Sequence, residues 1–88
     1  MIIVYTKPGC GYCVKAKNWL SLHDFQYTEI DVIQDYDSYH FLIDAGHKSL
    51  PQIYTKNADD APNLLVEGGF DGLSNITPED LRAKMAIS

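Results

Sequence analysis

The 88-residue chain predicts an α/β fold: a small mixed four-stranded sheet with helices on both faces, in the order β-α-β-α-β-β-α. Three observations carry that prediction. A short β-branched run, Ile2-Ile3-Val4-Tyr5, leads through a Pro8-Gly9 turn directly into a helix-like segment. A second pair of strand-like and helix-like stretches follows, and right-handed crossover makes the first two strands parallel. Two short apolar runs then flank a turn-rich connection, so the last two strands form an antiparallel hairpin. With 45% apolar residues, residues 1–88 are expected to form a single domain with a modest core.

Taken in order, Ile2 to Tyr5 is short, continuous and apolar, as a buried strand requires. A helix is expected from about Gly11 to about Ser21. Cys13, Ala16, Trp19 and Leu20 share one side of it, and Leu22 falls off that stripe. Phe25 to Val32 alternates apolar and polar residues as a second strand. Gln34-Asp35 caps a second helix whose apolar stripe is Tyr36, Tyr39, Leu42 and Ile43, with Gly46 as its stop. Gln52-Ile53-Tyr54 and Leu64-Leu65-Val66 are short strands, joined by an exposed loop from about Thr55 to Asn63. Asp71 is placed to begin a short helical turn. Thr77-Pro78-Glu79-Asp80 then starts the last helix, with a Thr cap, Pro at the first position and acids in the first turn.

Charge narrows the function classes. The net charge of −5 argues against nucleic-acid binding. Residues 1–23 hold Lys7, Lys15 and Lys17 and no acid, a local +3, whereas residues 24–88 sum to −8. Both cysteines lie in the positive part. Lys15 and Lys17 are expected on a solvated helix face; Lys7, beside the turn, is expected to have a role. The apolar opening is strand-length and nothing in the chain has the length of a membrane span. A cytoplasmic protein without a membrane partner is the expectation.

The chemistry-bearing stretch is Thr6-Lys7-Pro8-Gly9-Cys10-Gly11-Tyr12-Cys13. Free N–H groups and partial positive charge at a helix start favour a thiolate there. Positions three apart at such a start lie on one face, close enough for a disulfide. A Cys-x-x-Cys pair is also half of a zinc site, but none of His23, His40 and His47 stands at zinc-ligand spacing from it. A purely structural disulfide would close too short a loop to constrain the unfolded chain much. The strand-to-helix context points instead to redox use.

Three motifs in this order resemble the glutaredoxin family of the thioredoxin fold. They are Thr6-Lys7-Pro8-Gly9-Cys10-Gly11-Tyr12-Cys13, Ser49-Leu50-Pro51-Gln52-Ile53, and Gly68-Gly69-Phe70-Asp71. They are similar to the family's dithiol segment, its Thr-Val-Pro stretch with a cis-proline, and its Gly-Gly-x-Asp turn. The chain departs from the pattern in carrying Gly-Tyr rather than Pro-Tyr between the cysteines, Ser49-Leu50 for Thr-Val, and Gly72 where many members have a second Asp. Counting back from Pro51 places Ser38 or a neighbour where many members have a Gln or Arg facing glutathione.

The resemblance implies a thioredoxin-like fold and glutathione-dependent reduction of protein disulfides and glutathione mixed disulfides. It implies Cys10 as nucleophile and Cys13 as the buried resolving thiol. Glutathione, the co-substrate, would meet Lys7 through one carboxylate and Asp71 through its ammonium. N–H groups of the turn after Gly69 would hold its other carboxylate, Leu50 would pair with it ahead of Pro51, and Tyr12 and Phe70 would flank it. The implied partners are disulfide-bearing proteins, ribonucleotide reductase among them, served by a monomer. Two alternatives accompany this reading: a thioredoxin-like reductant served by a reductase protein, and a carrier of a [2Fe–2S] cluster. In the second, two subunits would each give Cys10 and a bound glutathione, completing four-sulfur ligation. Gly11 motivates it, because glycine lifts the φ restriction of proline and restores an N–H near the Cys10 sulfur.

Overall fold

In a computed structural model, which describes residues 1–56 and 62–86, strand β1 (Ile2–Thr6) is buried along its whole length. It has a partner on each side. Parallel β2 (Tyr27–Asp31) lies on one, with Val4 opposite Glu29 and Thr6 opposite Asp31. Antiparallel β3 (Gln52–Lys56) lies on the other, with Ile3 opposite Tyr54. Strand β4 (Pro62–Val66) adds antiparallel to β3, across an irregularity between Ile53 and Tyr54, and completes the order β2-β1-β3-β4. The mixed four-stranded sheet, its parallel first pair and its antiparallel last pair are those expected. Pro62 sits on the edge strand, where a missing N–H is tolerated.

Alternation along β1 divides the core. Ile2 and Val4 face one layer with Ala16, Leu20, Phe25, Ile53, Leu73 and Leu81. That layer is covered by α1 (Gly11–Leu22), α3 (Gly69–Ser74) and α4 (Pro78–Ala86). Ile3 and Tyr5 face the other layer, with Val32, Leu42 and Tyr54, under α2 (Tyr36–Asp44). Leu20, Leu73 and Leu81 are fully buried, each contributing about 2 kcal/mol of transfer free energy.

Most local expectations hold. Leu22 is the last, exposed residue of α1. Asp35 caps α2 by accepting from Ser38 N–H, and Gly46 follows its C-cap with φ +88°. Thr77 Oγ1 accepts from Asp80 N–H at the start of α4. Three features differ. The apolar stripe expected on α2 is rotated: Leu42 is buried and Phe41 half-buried against Tyr5 and Tyr54, while Tyr36, Tyr39 and Ile43 are 69%, 44% and 48% exposed. The packing rings of Tyr5 and Tyr54 draw in the 41/42 face rather than the longer stripe beside it. The short helix α3 begins at Gly69, two residues before Asp71, so Asp71 lies in its first turn and does not start it. Strands β3 and β4 reach Lys56 and Pro62 and shorten the expected Thr55–Asn63 loop at both ends; its centre, 57–61, lies outside the described residues. Among the described residues no helix is long and apolar enough to cross a membrane.

Gly72 has a steric reason that its sequence gives no sign of. A Cβ there would overlap the Glu67 carbonyl oxygen and come 2.9 Å from Val66 Cγ1. Any side chain at this position would push α3 off the end of β4. Gly11, by contrast, opens α1 with nothing within 4 Å of an added Cβ. Gly72→Ala is expected to cost about 3 kcal/mol through overpacking against backbone. Gly11→Ala is expected to be neutral or to stabilise by up to about 1 kcal/mol through the unfolded chain. Urea midpoints of the two variants, moving apart from wild type, check both.

Candidate active site

The turn Lys7-Pro8-Gly9 joins β1 to α1, and Gly9 adopts φ +76°, a conformation costly for residues with a Cβ. It delivers Cys10 as the N-cap of α1, in extended backbone, with its carbonyl accepting from Val14 N–H at 3.2 Å. Cys10 Sγ itself accepts from Cys13 N–H at 3.1 Å. The two cysteines are joined as a disulfide, with Cα atoms 5.2 Å apart. Cys10 is half-buried and Cys13 is 2% exposed, so only one sulfur is open to approach. In the reduced form the same N–H and the helix start stabilise negative charge on Cys10. The donor reaching that sulfur is the N–H of Cys13.

The second motif adjoins the first. The Leu50–Pro51 peptide is cis, as expected from the resemblance, and the Leu50 carbonyl oxygen lies 3.8 Å from Cys10 Sγ. The third motif packs on the second. Gly69, at φ +59°, approaches Pro51 so closely that a Cβ would stand 2.7 Å from its carbonyl oxygen. Tyr12, Leu50, Pro51, Phe70 and Asp71 thereby border one groove. The Tyr12 and Phe70 rings are 6.3 Å apart, and Lys15 Nζ lies 5.2 Å from the Tyr12 ring centre, so Lys15 covers an aromatic face instead of being merely solvated. Lys7 is not in this groove. It stands across Leu50, in a second groove shared with α2. Ser38, counted toward that groove from the sequence, instead donates its hydroxyl to Asp35 Oδ2 at 3.0 Å, and the α2 residues that do reach it are Tyr39, Leu42 and Ile43.

Sequence reasoning missed a polar cluster under the cysteines. Glu29 Oε2 accepts from Thr6 Oγ1 at 2.8 Å and from Lys17 Nζ at 2.9 Å, and the three residues share a cavity with Cys10 and Cys13. Lys17 was expected on a solvated face; its placement four residues after Cys13, on the same side of α1, was the available signal. The Lys17 ammonium and the Thr6 hydroxyl hold the Glu29 carboxyl below its ordinary value. Among the described residues no group of three or more His, Cys, Asp or Glu side chains could hold a metal ion. Of the two sulfurs, that of Cys10 is the one open to a group approaching from outside.

Comparison with known proteins agrees with this architecture. A glutaredoxin family model matches residues 2–58. Glutaredoxin 1 of Rickettsia prowazekii is 37% identical over 87 residues, covering 90% of this chain and 92% of its own. Among solved structures, a glutaredoxin from Brucella melitensis superposes with a TM-score of 0.69 at 28% identity, over 97% of this chain and 89% of its own. The glutaredoxin-like NrdH-redoxin of Escherichia coli, described as having a thioredoxin-like activity profile, superposes with a TM-score of 0.62 at 22% identity, over 93% and 91% of the two chains.

The Glu29 cluster has a pH signature. Its carboxyl is depressed in the folded chain, so the pairing stabilises the fold above the unfolded value of 4.5 and is lost as pH falls through the folded value. The Glu29 side chain is 41% exposed, which limits the effect. Lys17→Ala is expected to lower stability at neutral pH by at most about 1 kcal/mol. The gap from wild type should narrow as pH falls from neutral through the folded value, where the carboxylate takes up a proton. Urea denaturation across that pH range measures it.

Proposed function

The chain belongs to the glutaredoxin family of thiol–disulfide oxidoreductases, and from that premise we propose that it is a glutathione-dependent reductase in which Cys10 attacks and Cys13 resolves. The observation that carries the assignment of roles is the inequality of the two sulfurs. Cys10 caps a helix, receives a backbone N–H and is half-exposed; Cys13 is buried in the first turn.

The reaction follows from that geometry. The Cys10 thiolate attacks a substrate disulfide, forms a mixed disulfide and releases one substrate thiolate. With a two-cysteine protein substrate, the Cys13 thiolate then attacks Cys10 Sγ, releases the second thiolate and leaves the Cys10–Cys13 disulfide. One glutathione opens that disulfide at Cys10, and a second attacks the glutathione sulfur and leaves as glutathione disulfide. With a glutathionylated substrate, Cys10 takes the glutathione directly and Cys13 is not needed.

Glutathione is supported by charge placement. Lys7 and Asp71 stand on opposite sides of the Leu50–Pro51 ridge, suiting a carboxylate at one end of an extended tripeptide and an ammonium at the other. Tyr12 and Phe70 would cover its middle, and the Leu50 backbone would pair with it as a strand partner. On this reading the protein works as a monomer in the cytoplasm, where the glutathione pool keeps thiols reduced. Its substrates are disulfide-bearing proteins, with ribonucleotide reductase the first to try. The apolar Tyr39 and Ile43, where many members present a polar side chain, favour a second reading as a thioredoxin-like reductant.

Two sets of variants test this. Cys10→Ser should abolish all thiol exchange. Cys13→Ser should retain glutathione-dependent removal of mixed disulfides and lose reduction of two-cysteine substrates. Lys7→Ala and Asp71→Ala should each raise the glutathione concentration needed by roughly two- to fivefold, more at low salt than at high. Activity supported by thioredoxin reductase but not by glutathione would shift the assignment to the second reading.

A further inference from the structure

The groove on the Lys7 side of Leu50 carries more apolar surface than glutathione has use for. Tyr39 and Ile43 face it from α2, and Ile33, 66% exposed, joins them beside buried Leu42. Its cations are Lys7 and Lys48, and no carboxylate lines it among the described residues. Leu50 is the wall it shares with the groove of Tyr12 and Asp71, and the Leu50 carbonyl lies 3.8 Å from Cys10 Sγ. The apolar face is thus continuous with the redox centre.

Three occupants compete for such a face. Glutathione ends in a glycine, which has no side chain to bury against Tyr39 and Ile43. A second copy would bring together two chains of charge −5, with Asp35, Asp37 and Asp44 at or near the same helix. A protein segment can supply both an apolar side chain and an acid. In an extended segment, residues two apart lie on one face about 7 Å from each other, so one side chain can enter this groove while a neighbouring cysteine meets Cys10.

We propose that this groove selects protein substrates: it receives an apolar side chain two residues from the reactive cysteine, in an extended segment that also carries an acidic residue for Lys7 or Lys48. The inference rests on Cys10 being the attacking thiol. The chemistry is unchanged, with two electrons passing from the Cys10–Cys13 dithiol to the peptide disulfide and one Cys10–Cys13 disulfide formed per peptide dithiol released.

The test uses pre-reduced full-length protein in single turnover with short disulfide-bridged peptides, and no glutathione, so it stands apart from the glutathione assignment. One peptide has leucines two residues to either side of its cysteine and a flanking glutamate. Its counterparts replace the leucines by serine, or the glutamate by lysine. The leucine–glutamate peptide should react about tenfold faster than the serine peptide, the scale of discrimination that a small apolar pocket provides. In Ile43→Ser and Tyr39→Ser that ratio should fall to about twofold or less. Because the ratio is taken within one sample, loss of folded protein cancels. Equal rates in wild type, or a ratio unmoved in both variants, would overturn the proposal. So would a dimer in sedimentation that Ile43→Ser dissociates, since the face would then belong to a second copy. Failure of every peptide to react would overturn it together with the reading of Cys10 beneath it.

Discussion

The hydrogen bond from Cys13 N–H to Cys10 Sγ is the interaction on which the rest of the site depends. It requires Cys10 to stand just outside the helix and Cys13 just inside it, and that in turn requires Gly9 at positive φ to turn the chain from β1 into α1. β1 must be held rigidly for the turn to be placed, which is why a strand buried from end to end precedes it. Redox chemistry and core packing are therefore joined within the short stretch from Ile2 to Cys13. The buried sulfur belongs to both: Cys13 packs as a small apolar side chain while its N–H serves its neighbour.

The parts of the fold legible in the sequence are those fixed by local rules. Strand β1, the Asp35 and Thr77 caps, the Gly46 stop and the two-thiol turn each follow from a few adjacent residues. What the sequence hid depends on pairing across the sheet or on which helix face wins. Glu29 meets Thr6 and Lys17 only because β2 pairs parallel to β1 in one particular register. The α2 face could not be read from spacing, since Tyr36, Tyr39 and Ile43 form as good a stripe as the one that is buried. The deciding residues, Tyr5 and Tyr54, lie on strands far from α2 in sequence.

The candidate site was legible to a similar degree and for a similar reason. Each motif announces itself locally, and Gly69 against Pro51 shows how the second and third come to share a groove. Their arrangement about Leu50, with Lys7 on one side and Asp71 on the other, is a product of tertiary packing. Gly72 marks the limit of motif reading. As a departure from the family pattern it resembles a lost side chain, whereas the backbone of Glu67 leaves no room for one.

Among the described residues the two faces of the sheet are unequally covered, three helices on one and α2 alone on the other. In α2 a single residue, Leu42, is fully committed to the core, with Phe41 half-committed beside it. Local opening free energies scale with such anchoring, so α2, held by one buried residue, opens more readily than β1, which is buried from end to end. Since Tyr39 and Ile43 ride on that helix, the wall of the Lys7-side groove can breathe while the cysteine turn, tied to β1, stays in place. One side of the redox centre is thus adaptable and the other fixed, which lets a single small scaffold accommodate partners of differing shape without disturbing its sulfurs.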